Sequence, residues 1–156
     1  MEPKLVPLSF TESAVINIPL DSLWPRLKLR DISKFYTAIK RSEVVESGPE
    51  QRDRVKWYFE DGTVLEQVVV ECSDDEHCSS FVIVNVEPWG LPYAGAGSTI
   101  RAYPVTSGSA EGSTLVQWSA HYPDGVGDEV IADARQKRRE GLADLAKAAE
   151  NWRSSK

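Results

Sequence analysis

Apolar and polar positions along this chain follow two different periods. From residue 42 to residue 122 the apolar positions fall in short, largely alternating runs split by turn residues: "SEVVES", "RVKWYFE", "TVLEQVVVEC", "CSSFVIVNVE", "STIRAYPV" and "STLVQWSAHY". A period of two bounded by Gly, Pro, Asn, Asp and Ser marks strands, so this stretch predicts six consecutive strands with short connections, an antiparallel meander. Ahead of it, "SAVINI" (13–18) predicts a further strand ending at Pro19. The segment "LDSLWPRLKLRDISKFYTAI" then predicts a broken helical pair. Asp21 is placed to cap the first helix, Pro25 sits within its first turn, and Asp31 is placed to cap a second helix carrying Phe35 and Ile39. Residues 128–153 change period: Val130, Ala134, Gly141, Leu145, Ala148 and Trp152 recur at helical spacing, with Arg138 on the same stripe.

This order predicts an α+β fold. A curved antiparallel sheet of seven strands must bury one face, and the only large apolar helix available is the C-terminal one; two short helices follow strand 1. One domain is expected over residues 9–153, with residues 1–8 as an N-terminal extension and 154–156 as a tail. A sheet wrapped around one helix leaves room for a cavity, where apolar ligands collect.

The register of the central hairpin decides which side chains line that cavity. Reading Asp61-Gly62 as a two-residue turn pairs Phe59 with Val64, Trp57 with Glu66 and Val55 with Val68. Opposed residues share a face, so Val55, Trp57, Phe59, Val64, Glu66, Val68 and Val70 are predicted inside, and Arg54, Lys56, Leu65 and Gln67 outside. With Asp75-Glu76 at the tip of the next turn, Phe81, Ile83 and Asn85 join the inner face opposite Val70, Val68 and Glu66. Cys72 then points inward and Cys78 outward, so no disulfide is expected between them. Ile100, Ala102, Val116, Trp118, Ala120 and Tyr122 complete the concave surface.

A carboxylate in an apolar wall stays protonated, finds a donor or meets a water-filled cavity. Two readings of Glu66 follow. In one it is a catalytic acid/base oriented by Asn85, or an anchor for a ligand hydroxyl or amine. In the other it is a structural carboxylate bonded to Asn85, Trp57 Nε1 or Arg138. Val55, Trp57, Phe59, Val68, Phe81, Ile83, Asn85, Ile100, Trp118 and Arg138 are the candidate ligand-binding residues. Trp57, Phe59, Phe81 and Trp118 read either as a stacking wall or as plain core. Arg138 reads either as a counter-charge for Glu66 or, with Arg135, Lys137 and Arg139, as part of a solvated face.

Composition narrows the partners. Lys and Arg total 18 against 24 Asp and Glu, a net charge of −6, which argues against nucleic acid. No window approaches the roughly 18 apolar residues of a membrane span, and "MEPKLVPLSFTESAVINI" lacks the charged and apolar regions of a secretion signal; a soluble, cytoplasmic protein is expected. Two cysteines and two histidines are too few and too scattered for a zinc site of standard spacing, so neither metal nor cofactor is expected. "GLPYAGAG", with Gly90, Gly95 and Gly97, lacks the ending and context of a phosphate loop and reads as a flap near a cavity mouth.

In order and spacing, "IPLDSLWPRLKLRDISKFY", "EDGTVLEQVVV", "VNVEPWGLPYAG", "LVQWSA" and "EGLADL" resemble the START-like ligand-binding superfamily. This superfamily is also called SRPBCC or helix-grip, and the resemblance is to its polyketide cyclase/dehydrase and birch-pollen-allergen-like branch, over almost the whole chain. It implies a helix-grip fold with a deep apolar cavity for lipids, hormones, polyketides or other secondary metabolites. In the similar plant lachrymatory-factor synthases, the glutamate matching Glu66 lies in the pocket with an arginine and a tyrosine. Here Val55 or Trp57 occupies the arginine position, and Ser98 stands roughly where the tyrosine would be. The resulting expectation is a monomer or dimer that binds a small hydrophobic or aromatic metabolite and cyclises, dehydrates or isomerises it by acid/base chemistry at Glu66. The rivals are a non-catalytic carrier or sensor and a partner-binding module acting through the helix or flap.

Overall fold

A computed structural model describes residues 8–49, 52–88 and 95–154. The elements are β1 (Ser9–Ile16), α1 (Leu20–Leu23), β2 (Ile39–Glu46), β3 (Arg54–Phe59), β4 (Val64–Ser73), β5 (Cys78–Glu87), β6 (Gly97–Pro104), β7 (Thr114–His121) and α2 (Asp128–Ser154). The seven strands form one antiparallel sheet in the order β1-β7-β6-β5-β4-β3-β2. The meander from β2 to β7 follows the alternation in the sequence, and β1 closes onto β7 at the far edge. The expected flap falls largely on residues 89–94, outside the described residues.

The broken helical pair is a single turn of α-helix, α1, followed by 3₁₀ segments at Trp24–Arg26 and Leu29–Lys34. Asp21 lies in the first turn of α1 rather than at its cap, which is Pro19, and Asp31 lies within the second 3₁₀ segment behind Lys28. Both acids still sit near helix N-termini, where the exposed N–H groups favour negative charge. Ile39 opens β2 instead of extending a helix.

Alternation in β3 and β7 places every second side chain in the core. Helix α2 buries Ile131, Ala134, Gly141, Leu142, Leu145 and Ala149; of the predicted stripe, Ala134, Gly141 and Leu145 are buried and Val130, Ala148 and Trp152 half-buried, so the buried face is turned slightly toward Ile131, Leu142 and Ala149. Gly141 makes a close approach of the helix possible: a Cβ there would stand 3.0 Å from Trp118 Cζ3 and 3.5 Å from the Tyr36 ring. Arg135 and Arg139 reach across to Glu12 of β1, at 3.3 and 2.7 Å, and tie the polar flank of the helix to the sheet edge.

The buried side chains form two clusters. One runs from the short helices under the C-terminal half of α2 and includes Leu27, Ile32, Trp57, Phe81, Trp118 and Leu145. A smaller one surrounds Ile83, Val86, Tyr122, Ile131 and Ala134 beneath the N-terminal half of α2. Leu65 packs against both clusters.

Candidate functional site

The turn between β3 and β4 sets which residues face the helix. Phe59 N donates to Thr63 O at 2.9 Å and Gly62 N to Phe59 O at 3.0 Å, so the loop holds three residues, Glu60, Asp61 and Gly62. Gly62 alone adopts positive φ (91°), the left-handed position that ends such a loop, and Asp61 Oδ1 accepts from Thr63 N at 2.9 Å. These bonds to Thr63, the backbone N–H first, hold the Asp61 carboxyl below its ordinary range. The pairing is therefore Trp57 with Leu65, Lys56 with Glu66, Val55 with Gln67 and Arg54 with Val68. The expected register is off by one residue, which exchanges the two faces of β4.

Glu66 consequently stands on the outer face, not on the cavity wall. Arg54 Nη1 lies 2.5 Å from its Oε2 and Lys56 Nζ lies 3.8 Å from its Oε1. Val68 shares that face. Gln67 takes the inward place and is 3% exposed. Asn85 does oppose Glu66, as expected, but outside: the partner of Gln67 is Ile83, so Val84 is an extra residue that bulges out and turns Asn85 to the solvent side. A second irregularity at Val70 restores the parity of β4, and Cys72 packs against the larger core as expected. Cys78 is buried instead of exposed, and both thiols are free.

Where the two core clusters meet, a cavity of about 180 Å³ opens between the sheet and α2. Trp57 and Phe59 of β3, Leu65 and Gln67 of β4, Ile83 of β5 and Trp118 of β7 wall it on the sheet side. Tyr36, Ser98 and Tyr122 add to these walls, and α2 contributes Val130, Ala134 and Arg138. The rim carries Asp61, Thr63, Asp133 and Lys137, with Lys137 Nζ 2.9 Å from Asp133 Oδ2. Cavities of roughly 150 Å³ accommodate a benzene ring, so this space suits one ring with a small substituent.

Arg138 is the charged group inside. Its Nη2 donates to Ser98 Oγ at 2.8 Å and its Nη1 to Ala134 O at 3.0 Å, and the guanidinium lies 5.5 Å from the Trp118 ring centroid. Burial pulls its pKa below the ordinary arginine value, against opposing contributions from the Tyr122 and Tyr36 phenols. Burial likewise pushes the Tyr36 phenol well above its ordinary range, with Glu140 the next contributor, so it remains a neutral O–H donor. Among the described residues, no carboxylate lies within ion-pair distance of Arg138, and no group of His, Cys, Asp and Glu side chains is arranged to hold a metal.

Of the candidates read from the sequence, Trp57, Phe59, Ile83, Trp118 and Arg138 line the cavity. Val55, Phe81 and Ile100 are buried in the larger core without lining it, and Glu66, Val68 and Asn85 lie on the other face. The basic cluster on α2 divides: Arg135 and Arg139 bind Glu12, Lys137 pairs with Asp133, and Arg138 turns inward. Gln67, Leu65 and Tyr36 were missed. The three-residue reading of Glu60-Asp61-Gly62 was the available signal for the first two, because Asp-Gly serves both turn types.

A seven-stranded antiparallel sheet gripping a long C-terminal helix, with a cavity between them, defines the START-like or helix-grip class of proteins. The chain belongs to the polyketide cyclase / dehydrase and lipid transport family, whose model matches residues 7–150. Among solved structures it is similar to the protein XoxI from Bacillus cereus, at 21% identity over 93% of this chain and 97% of that one, with a TM-score of 0.75. A protein from Nitrosospira multiformis is 20% identical over 89% of this chain and 94% of its own, also with a TM-score of 0.75. A START superfamily protein from Mycobacterium smegmatis is 13% identical over 92% and 98%, with a TM-score of 0.71. No curated protein sequence matches the chain. Among the described residues, no helix is long and apolar enough to cross a membrane.

Proposed function

We propose that this protein binds a small, largely apolar ligand with about one aromatic ring in the cavity under α2, as a carrier or sensor. The observation that carries the reading is the cavity itself: it sits at the junction of the two cores and is walled by the rings of Tyr36, Trp57, Phe59 and Trp118. Flat aromatic walls favour a flat apolar guest, by area burial and by edge or face contact. Membership of a family described by cyclase, dehydratase and lipid-transport activities supports a hydrophobic ligand. Cyclisation, dehydration or isomerisation at Glu66 loses its support, because that carboxylate is paired with Arg54 and Lys56 on the far side of the sheet.

The test is a ¹⁹F NMR titration with 4-fluoroacetophenone. Binding is expected in the parent protein. Ala134→Leu projects a larger side chain into the cavity and should weaken binding at least about tenfold, or 1.4 kcal/mol. Glu66→Gln should leave affinity unchanged and cost no more than about 1 kcal/mol of stability, since its ion pairs are partly exposed. Binding that survives Ala134→Leu but is lost in Glu66→Gln would place the ligand elsewhere and refute the reading.

A further inference from the structure

Among the described residues, five buried side-chain polar atoms have no hydrogen-bond partner: Tyr36 Oη, Trp57 Nε1, Gln67 Nε2, Trp118 Nε1 and Arg138 Nε. All five residues line the one cavity under α2. Buried polar groups are almost always paired, so a cluster of exceptions in one place marks what the place is built to meet. Their chemistry is one-sided. Indole and guanidinium nitrogens only donate, and the Tyr36 phenol has its proton to give. A flip of the Gln67 amide would present its oxygen instead and leave the three obligate donors unchanged.

The charge is one-sided as well. Arg138 brings a cation into an aromatic enclosure, and its protein partners are a carbonyl and two hydroxyls, Ala134 O, Ser98 Oγ and the Tyr122 phenol, with no carboxylate among them. The two carboxylates on the rim are engaged elsewhere: Asp61 accepts from Thr63 N at 2.9 Å, and Asp133 pairs with Lys137 at 2.9 Å. A cation largely removed from water, with no carboxylate within ion-pair distance among the described residues, is costly, and the arrangement persists most readily if a ligand supplies the anion. A guanidinium with a free N–H beside its outer amines matches a carboxylate, which accepts through two oxygens.

Resting on the ligand-binding reading above, we propose that the cavity is specific for an aromatic carboxylate, with its ring between the Trp57 and Trp118 indoles and its carboxylate accepting from Arg138. Size fits this class: about 180 Å³ takes one ring with one carboxylate, not a fused polycycle. The remaining donors, Gln67 and Tyr36, give the carboxylate oxygens further partners inside the same walls.

The experiment compares 4-fluorobenzoate with its neutral isostere 4-fluoroacetophenone by ¹⁹F NMR titration of the same protein. The benzoate is expected to bind at least about tenfold more tightly, the usual advantage of a charge-assisted hydrogen bond. Arg138→Met should abolish that preference, bringing the ratio of the two affinities to about one, and Arg138→Lys should restore part of it. The parent comparison needs no variant, so a misfolded Arg138→Met leaves the proposal decidable. Equal affinities, or tighter binding of the ketone, would overturn the carboxylate proposal and leave the cavity reading standing. Absence of binding by either probe would overturn both.

Discussion

Replacing Phe81 with alanine is expected to lower the free energy of unfolding by about 3–5 kcal/mol, the usual cost of emptying an aromatic core site. Phe81 is 1% exposed, pairs with Val69 on one side and Ser98 on the other, and meets the Trp57 ring at 65° with centroids 6.5 Å apart. The void would open beside Trp57, which also lines the cavity under α2, so relaxation of the indole into the void would alter that cavity. Urea titration of both proteins measures the effect; a difference below about 1 kcal/mol would show that Phe81 is not part of a close-packed core.

Gly141→Leu is expected to destabilise the fold by about 1–3 kcal/mol, although leucine is a better helix former than glycine by roughly 1 kcal/mol. The reason is local crowding. A Cβ at this position already falls 3.0 Å from Trp118 Cζ3, and a leucine would extend further into the space between Trp118 and the Tyr36 ring. Trp118 and Tyr36 both line the cavity, so ligand affinity should fall together with stability. A gain in thermal stability with unchanged binding would mean that the helix does not approach the sheet this closely.

The fold was legible because its signals are redundant. Alternation along β3, β5 and β7, the single long stripe of α2 and the short connections each constrain the same arrangement, so an error in one strand leaves the topology intact. The site was less legible because it depends on parity, which one residue reverses. Asp61-Gly62 suits a two-residue turn with positive φ at both positions as well as a three-residue loop with positive φ only at the glycine. Only Gly62 adopts it, so Glu66 and Gln67 exchange faces. The bulge at Val84 had no sequence signal, since another valine in an apolar run looks like continued strand. Arg138 was legible from its place on the stripe, but its role was tied to a glutamate that lies on the far side of the sheet.

The proposed ligand sits between the sheet and α2, against Trp57 and Trp118. The indole N–H signals in a ¹H–¹⁵N spectrum test this placement most directly, with whichever of 4-fluorobenzoate and 4-fluoroacetophenone binds more tightly added to saturation. Two other indoles are internal controls: Trp24, whose Nε1 donates to Asp74 at 2.8 Å, and Trp152, whose ring lies 4.0 Å from the Arg26 guanidinium carbon. The expected result is movement of the Trp57 and Trp118 signals with those of Trp24 and Trp152 unchanged. Saturation that leaves Trp57 and Trp118 in place, or moves only the controls, would contradict the account.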